Sequence, residues 1–317
     1  MQNTNKYIAI ALDESYARYA SVMLTSLFEN NDAEKEVFHV FVMYGKLSRF
    51  AKKKIKQKVG EYGHSVSFIK INEKLLKSFP VSHHVSTATY YRLLIPVVIP
   101  EYVSWLLYLD CDILVRKNIS ELWELISDGV SHLAAENPLI SEEFKTNLGM
   151  SSDSKYFNAG VMLINLKYWR KVNITENSLK FVNSYLHKIV FWDQDILNSL
   201  LEGQWKEISF LWNAQEVFFL SYTAEQLGIS EEYYHEIKTN PCILHFTGSN
   251  KPWLKTIEHP YLNEYKYYLE KNAWSESSLK KLLQAICRIK TKIVRKNVWY
   301  SWGLLKRFVK WLNFKIS

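Results

Sequence analysis

The chain has 317 residues, of which 48% are hydrophobic and 15% aromatic, so it can bury a large core as one α/β domain or as a domain with appendages. No apolar run approaches the roughly 18 residues of a transmembrane helix, and the polar N-terminus is not expected to be a signal peptide. Three scattered cysteines, Cys111, Cys242 and Cys287, argue against a disulfide framework and fit a reducing cytoplasm.

The excess of basic charge is confined to one end of the chain. The formal net charge is +8, yet residues 279–317 hold 11 Lys/Arg and no Asp/Glu, whereas residues 1–278 hold 29 Lys/Arg and 32 Asp/Glu. This asymmetry predicts a polyanion partner for the C-terminal segment and not for the whole protein.

Strand and helix patterns alternate through the first half of the chain. The predicted strands are Tyr7–Leu12, Val37–Met43, Val66–Ile71 and Leu106–Asp110. The predicted helices are Tyr16–Asn30, Leu47–Tyr62 and Thr87–Ile95, the last of which ends at Pro96. This succession predicts a mostly parallel sheet with helices on both faces, in which ligands bind at the carboxyl ends of the strands.

The second half of the chain has a less regular pattern. Its predicted elements are the strand Tyr156–Asn165, the helices Asn177–His187 and Asp193–Leu201, and the short strand Cys242–Phe246. The sequence contains no internal repeat and no glycine-rich nucleotide motif. We therefore predict one α/β domain over residues 1–275 and a separate basic, aromatic segment over residues 276–317.

Two carboxylates, Asp110 and Asp112, follow the predicted buried strand. At the end of a strand the chain can turn so that both side chains reach one cation. Hard ions such as Mg²⁺ and Mn²⁺ bind carboxylate oxygens and phosphates, so the pair predicts a metal–diphosphate site, with Asp13 on the same sheet edge. The alternative is a turn or a helix cap, for which Asp is also common.

Two further polar segments are candidates for ligand contacts. Asn158, Ala159 and Gly160 open an apolar strand, where the backbone can approach a ligand closely, although a plain turn is the commoner meaning of such a segment. Asp193 and Gln194 begin a helix, where they either decorate its N-terminus or orient sugar hydroxyls.

Cationic and imidazole side chains complete the candidate set. His245 follows a short strand and is either a structural histidine or a ligand for Mn²⁺. Gly248 permits a tight turn, and Lys251 can reach a phosphate as a point charge. Arg92 either steadies a diphosphate or a carboxylate, or it forms an ordinary surface salt bridge.

Six segments in this order resemble the bacterial family 8 retaining glycosyltransferases, the group of lipooligosaccharide and lipopolysaccharide galactosyl- and glucosyltransferases. The matching segments are Ala11–Tyr16, His84–Arg92, Leu107–Asp112, Tyr156–Val161, Asp193–Asn198 and His245–Trp253. The resemblance implies a GT-A type nucleotide-sugar transferase fold over residues 1–275. It also implies a hexosyltransferase that uses UDP-galactose or UDP-glucose with Mn²⁺, Mg²⁺ being the alternative ion.

The same resemblance implies a role for each matching side chain. The implied metal ligands are Asp110, Asp112 and His245, and the implied phosphate contacts are Gly248 and Lys251. The implied nucleotide-sugar contacts are Ala11, Asp13, Tyr16, Val85, Arg92, Cys111, Asn158 and Ala159. The implied catalytic residues, around the donor sugar, are Asp193 and Gln194.

Retention of the anomeric configuration is also implied by the family. Retaining hydrolases use a carboxylate nucleophile, but here Gln194 aligns nearest the reacting carbon, and an amide is a poor nucleophile. We therefore expect front-face displacement, in which the acceptor hydroxyl attacks as UDP leaves and a phosphate oxygen takes the proton. A covalent intermediate on Asp193 is the alternative.

Departures from the family pattern leave the donor sugar and the acceptor open. Asn137 stands where the galactosyltransferase has an acidic residue near the sugars, Ser15 replaces an asparagine near the nucleotide, and residues 205–241 show little similarity. The expected acceptor is a lipopolysaccharide or lipooligosaccharide core glycan. The alternatives are a protein or another surface glycan as acceptor, or a non-catalytic binding protein of the same fold.

Residues 279–317 combine apolar residues at helical spacing with lysines, arginines and aromatic residues. This pattern is typical of a helix lying on an anionic membrane, and the alternative is a helix packed on the body. Nucleic acid is not expected as a partner, because no nucleic-acid motif accompanies the basic residues. We expect a cytoplasmic protein that is peripheral on the inner face of the cytoplasmic membrane.

Overall fold

The computed structural model describes residues 6–31, 36–80, 86–254, 258–272 and 274. The chain divides into two units, Met1–Asn272 and Ala273–Ser317. The predicted segment 276–317 and the predicted contact Val85 lie outside the described residues. Within the part that the structure describes, no helix combines the length and hydrophobicity of a membrane span.

Ten strands form two sheets in the described part of the chain. They are β1 (Lys6–Leu12), β2 (Phe38–Tyr44), β3 (Ser65–Lys70), β4 (Trp105–Leu109), β5 (Ile113–Val115), β6 (His132–Glu136), β7 (Phe157–Asn165), β8 (Lys206–Glu207), β9 (Ala214–Gln215) and β10 (Ile243–His245). The larger sheet has the order β3-β2-β1-β4-β7-β6-β8, in which only β7 is antiparallel to its two neighbours. The predicted mostly parallel sheet is therefore confirmed.

The helices surround this sheet in two groups. They are α1 (Ala17–Glu29), α2 (Arg49–Glu61), α3 (Ile95–Val98), α4 (Ser120–Glu124), α5 (Glu142–Asn147), α6 (Leu166–Lys171), α7 (Ile174–Tyr185), α8 (Trp192–Leu200), α9 (Glu231–Thr239) and α10 (Leu262–Lys271). The described residues also form short 3-10 helices, at Glu73–Leu76, Thr87–Leu94, Leu186–Lys188, Phe210–Asn213 and Glu216–Phe219. Helix α1 packs against α2 and α10, whereas α3, α6, α7 and α8 contact one another in pairs.

Strand β4 lies in the middle of the larger sheet, between β1 and β7. Its residues Leu106 to Leu109 are fully buried, as a hydrophobic strand covered on both faces requires. The chain leaves this strand at its carboxyl end and delivers Asp110 and Asp112 to the edge of the sheet. The position of the two carboxylates thus follows from the burial of the strand before them.

The sequence predicted that the helix Thr87–Ile95 stops at Pro96, and this predicted end is wrong. The 3-10 helix Thr87–Leu94 continues directly into α3, whose first turn contains Pro96. Proline is tolerated there because the first turn of a helix has no intrahelical partner for its backbone N–H groups. The predicted helix from Asn177 likewise begins earlier, at Ile174.

The smaller sheet brings distant parts of the chain together. Strand β10 pairs antiparallel with β5, with His245 opposite Ile113, and parallel with β9, with His245 opposite Gln215. The backbone N–H of Phe246 also donates to the carbonyl of Asp112 at 3.0 Å. This ladder places His245 beside the two carboxylates that follow β4.

His132 is a fully buried imidazole in β6, packed between aromatic rings. Its ring stands edge-on to Phe157, with 4.3 Å between ring centroids, and stacks on Trp205. Its Nδ1 contacts the Ser131 hydroxyl at 2.8 Å, whereas its Nε2 has no hydrogen-bond partner within the described residues. Burial lowers the pKa of His132 to about 3, so the folded protein keeps this imidazole neutral.

We predict that His132 makes the protein less stable in acid. The unfolded chain protonates this imidazole near pH 6.5, whereas the folded chain does so only near the lowered pKa of about 3. Its stabilisation is therefore present above pH 6.5 and is lost as the pH falls, by about 1.4 kcal/mol per pH unit between those values.

The measurement is urea unfolding of the wild type and His132→Phe between pH 6 and pH 4. The wild type should lose about 2 kcal/mol more than the variant over this range. His235→Phe, which removes an exposed imidazole, is the matched control. Parallel pH curves for the wild type and His132→Phe would contradict the assignment.

Candidate active site

A cavity of about 710 Å³ opens at the carboxyl ends of β1 and β4. It is lined by segments from both halves of the chain. The predicted site residues that line it are Ala11, Asp13, Tyr16, Arg92, Asp110, Cys111, Asp112, Asn158, Ala159, Asp193, Gln194, His245, Gly248 and Lys251. The structure therefore brings together every predicted site residue that it describes.

Asp110, Asp112 and His245 form the one cluster in the described residues that could hold a metal ion. One ligand atom from each lies within 4.8 Å of the others. His245 Nε2 is 3.4 Å from Asp112 Oδ1 and 3.8 Å from Asp110 Oδ2. Two carboxylates and one imidazole are a donor set that suits a hard or borderline divalent cation such as Mn²⁺.

The carboxylate of Asp110 is oriented by its neighbours. Its Oδ1 accepts hydrogen bonds from Arg92 Nη2 at 2.8 Å and from the Tyr108 hydroxyl at 3.0 Å. Its Oδ2 is the oxygen that faces His245. One oxygen is thus used to fix the side chain, and the other faces the cluster.

Gly160 forms the floor under this cluster. A Cβ at this position would lie 2.1 Å from Cε1 of His245 and 2.8 Å from Oδ2 of Asp110. Any side chain here would therefore force two candidate ligands to move. The close approach of backbone that the sequence pattern suggested for Asn158 to Gly160 is present, and it serves the metal cluster.

Lys251 reaches the cluster from the loop after β10. Its Nζ lies 2.6 Å from Asp112 Oδ2 and also donates to the carbonyl of Phe246. Burial alone would raise the pKa of Asp112, but Lys251 and His245 outweigh it and hold that pKa below its usual range. Asp112 is therefore a carboxylate at neutral pH, with Lys251 close enough to contact a bound anion.

Arg92 is a buried guanidinium at the centre of a polar network. Its Nε lies 2.8 Å from Asp193 Oδ2, and its Nη1 donates to the carbonyl of Ala159. Asp110 and Asp193 hold the pKa of Arg92 above its usual value despite burial. The surface salt bridge considered for Arg92 is therefore wrong, because this side chain is only 6% exposed and bonds inside the cavity wall.

Asp193 is the carboxylate on the other side of this guanidinium. Its Oδ1 accepts from the Thr89 hydroxyl at 2.5 Å, and its Oδ2 is the oxygen that is ion-paired with Arg92 Nε. Burial raises the pKa of Asp193 to about 6, although Arg92 and Thr89 oppose that shift. A buried acceptor in a cavity wall suits a hydroxyl donor such as a sugar.

Gln194 is held by hydrogen bonds at both ends of its amide. Its Oε1 accepts from the backbone N–H of Ala159 at 3.0 Å, and its Nε2 donates to the Tyr156 hydroxyl at 3.4 Å. Tyr156 in turn donates to Asp195 at 2.5 Å. The amide is thus fixed in the wall of the cavity, next to Asp193.

Two non-glycine residues of the cavity wall have left-handed backbone conformations. They are Leu139, with φ of 70°, and Trp192, with φ of 50°. Beside Trp192, the carboxylate of Asp195 accepts from the N–H groups of Val190 and Phe191 at 2.7 and 2.6 Å. The buried Asp195 therefore supports the strained turn that opens α8.

At the end of β1 the cavity is lined by Ala11 and Asp13, with Cys111 beside them. Asp13 Oδ1 accepts from the N–H groups of Ser15 and Tyr16 at 2.9 and 3.3 Å, so it also stabilises the turn before α1. The Cys111 thiol donates to the carbonyl of Ala11 at 3.4 Å, and burial raises its pKa well above the usual value. Cys111 is therefore a neutral thiol between two carboxylates.

Gly248 lies at the opposite rim, where Glu216 packs against it. A Cβ on Gly248 would overlap the carboxylate of Glu216. The N–H of Glu216 donates to the Thr247 hydroxyl at 3.3 Å. These contacts hold the loop that carries Lys251.

Asn213 is a functional candidate that the sequence did not reveal. This fully buried side chain contacts His245 Nδ1 through its Oδ1 at 2.9 Å and donates from its Nδ2 to Asn158 Oδ1 at 2.9 Å. Because the amide oxygen can only accept, the Nδ1 of His245 carries a proton, and Nε2 is the nitrogen that faces the two carboxylates. A single asparagine in a region of low similarity gives no sequence signal for this role.

We predict that Asn213→Ala weakens binding of Mn²⁺ by about 10- to 100-fold, because the imidazole loses the partner that sets its orientation. Calorimetric titration of the protein with Mn²⁺ measures this change directly. Asn183→Ala, at an exposed position, is the matched control. Equal affinities of the wild type and Asn213→Ala, in folded protein, would remove Asn213 from the site.

Comparison with known proteins identifies the family. Residues 7–257 match the model of glycosyl transferase family 8. General stress protein A of Bacillus subtilis is 34% identical, over 85% of this chain and 94% of that protein. A lipopolysaccharide 1,2-glucosyltransferase of Escherichia coli is 27% identical, over 87% of this chain and 81% of that protein.

A solved structure shows the same fold. It is the galactosyltransferase LgtC in complex with donor and acceptor sugar analogues, with a TM-score of 0.76 and 25% identity over 87% of this chain and 99% of that one. The resemblance stated from the sequence motifs is thus confirmed. The chain belongs to glycosyltransferase family 8, and its fold is of the GT-A type.

Proposed function

We propose that this glycosyltransferase uses Mn²⁺ to transfer galactose or glucose from a UDP-sugar to a lipopolysaccharide or lipooligosaccharide core glycan. The observation that carries the proposal is the cluster of Asp110, Asp112 and His245 in a cavity that Lys251 also reaches. This arrangement combines divalent-cation ligands with a cation for phosphate, which is what a nucleoside diphosphate leaving group requires.

The donor diphosphate is assigned to the cluster end of the cavity. Asp110, Asp112 and His245 would hold the metal, which supplies charge stabilisation to the departing UDP. Lys251 contributes a second positive charge from the loop after β10, and Gly248 is assigned a backbone contact with the phosphates. Tyr16 and Asp13, at the end of β1, would contact the nucleoside.

The donor sugar is assigned to the wall formed by Arg92, Asp193 and Gln194. The carboxylate of Asp193, although ion-paired with Arg92, keeps lone pairs that can accept a hydrogen bond from a sugar hydroxyl, and the amide of Gln194 is fixed beside it. Asn137 lines this part of the cavity in place of an acidic residue. The choice between galactose and glucose depends on hydroxyl contacts of this kind.

Transfer with retention is proposed to occur by front-face displacement. The acceptor oxygen bonds to the anomeric carbon as the bond from that carbon to the diphosphate oxygen breaks, and the acceptor proton passes to a diphosphate oxygen of the leaving UDP. Attack by Asp193 is the lesser alternative, because its carboxylate is already engaged by Arg92 and Thr89 and is partly neutralised by burial.

The core glycan is favoured as acceptor by the lipopolysaccharide glucosyltransferase among the relatives and by the galactosyltransferase structure with an acceptor sugar analogue. A protein or another surface glycan is the alternative, since one relative is named only as a general stress protein. We further propose that the basic C-terminal segment associates with an anionic membrane, which places the enzyme on the cytoplasmic face of the membrane near a glycolipid acceptor.

The decisive experiment is calorimetric titration of the full chain with UDP-galactose and UDP-glucose, in Mn²⁺ and in EDTA. We expect Mn²⁺-dependent binding of one sugar nucleotide over the other, with slow release of UDP. Analysis of the glycoside product by NMR should show the anomeric configuration of the donor. Absence of binding to either nucleotide by the folded protein in Mn²⁺ would refute the proposed donor.

We predict that Asp112→Asn abolishes the Mn²⁺-dependent part of UDP affinity, because the cluster loses one ligand charge. Asp110→Asn should do the same. The exposed Asp128→Asn is the matched control and should bind UDP like the wild type. Turnover of either cluster variant at the wild-type rate would show that the metal assignment is wrong.

A further inference from the structure

Helix α2 and the loop before it form a basic region on a body that is otherwise slightly acidic. Residues 46–58 contain seven Lys/Arg and no Asp/Glu, although residues 1–278 together have more acids than bases. Ala51, Ile55 and Val59 are the buried positions of this helix, at a spacing of four. The basic side chains therefore lie on its lateral and outer faces.

The outer basic groups of α2 and of the loop before it are exposed to solvent. Lys46, Arg49 and Lys53 are exposed, and none of them forms an ion pair with another described residue. On the same helix, by contrast, Lys58 pairs with Glu61 at 2.9 Å. The positive potential of the helix is thus concentrated at its N-terminal half.

Large apolar side chains lie among these charges. Phe50 on α2 and Leu75 on the 3-10 helix Glu73–Leu76 are each 50% exposed, and Lys74 beside Leu75 is also exposed. The two segments adjoin, because a Cβ on Gly45 would lie 2.4 Å from Oε1 of Glu73. We call the surface formed by Lys46, Arg49, Phe50, Lys53, Lys74 and Leu75 the basic–apolar patch.

The patch borders the nucleotide end of the cavity. The N–H and hydroxyl of Ser48, the N-cap of α2, donate to the carboxylate of Glu14 at 2.6 and 2.8 Å. Glu14 follows Asp13, which lines the cavity. The patch therefore lies at the same edge of the sheet as the active site.

We propose that the basic–apolar patch is a second membrane-contact surface, which docks the catalytic body on an anionic lipid bilayer. Lys46, Arg49, Lys53 and Lys74 lie over anionic headgroups, and Phe50 and Leu75 insert between them. This inference goes beyond the proposed transfer reaction and uses none of its residues. It also differs from the C-terminal segment, because it concerns how the body itself is oriented.

A bilayer fits this surface better than a dissolved polyanion does. Basic groups attract either partner, but exposed Phe and Leu side chains gain only from an apolar phase. A nucleic acid or a free phosphorylated glycan would leave Phe50 and Leu75 in water. The combination of charge and apolar side chains therefore favours the lipid surface.

The test is co-sedimentation of the full chain with vesicles of phosphatidylcholine containing 30% phosphatidylglycerol. We expect the triple variant Lys46→Gln, Arg49→Gln, Lys53→Gln to partition about 100-fold less than the wild type, because each basic group contributes about fivefold and independently to binding. The control is Lys167→Gln, Lys171→Gln, Lys266→Gln, which loses the same charge at exposed positions elsewhere and should change partitioning less than about twofold. Equal losses in the two triple variants would overturn the proposal.

A charge-neutral variant tests the apolar half of the patch. Phe50→Ser with Leu75→Ser should lower partitioning about threefold or more, and thermal melts should show that the fold is retained. Hydrogen exchange of the full chain on these vesicles should protect backbone amides in residues 45–54 and 73–77. Unchanged hydrogen exchange in these residues would refute docking on the bilayer. Docking would also be refuted if the basic triple variant lost its binding to heparin, a dissolved polyanion, but still bound the vesicles.

Discussion

The active site depends on one buried cation, the guanidinium of Arg92. Removal of this charge from water is costly, and two carboxylates, Asp110 and Asp193, offset that cost at 2.8 Å each. The carbonyl of Ala159 and the face of the Tyr108 ring complete its surroundings. Because Asp110 belongs to the candidate metal cluster and Asp193 lies beside Gln194, the guanidinium links the two parts of the cavity to which the metal and the donor sugar are proposed to bind.

The direction of β7 explains how the remaining wall is built. This strand is antiparallel to β4, so its first residues, and not its last, reach the edge of the sheet where β4 ends. The N–H of Asp110 consequently donates to the carbonyl of Gly160 at 2.9 Å. Asn158, near the start of this strand, accepts a hydrogen bond from the side chain of Asn213, and Asn213 in turn contacts Nδ1 of His245 and orients its ring. One reversed strand in a parallel sheet thus supplies the floor of the metal cluster.

Local patterns were sufficient for β1 to β4, α1 and α2, where each element is continuous and its apolar spacing is regular. The Asp-x-Asp motif and the family resemblance also identified fourteen of the residues that line the cavity. Sequence did not reveal Asn213 or the support of Trp192 by Asp195, since both roles arise from contacts between distant segments. The passage of a helix through Pro96 was missed because the 3-10 to α junction is set by packing. The roles assigned to the C-terminal segment stay predictions.

The left-handed conformations of Leu139 and Trp192 impose an evolutionary trade-off on the cavity. Each costs roughly 1 kcal/mol or more relative to a glycine at the same position. Glycine at both sites would relieve this strain, but it would also remove the indole of Trp192, which packs against the hydrophobic core. Such a change would remove two large side chains from the wall that shapes the substrate space. Leu139 and Trp192 thus combine a strained backbone with large side chains that line the cavity.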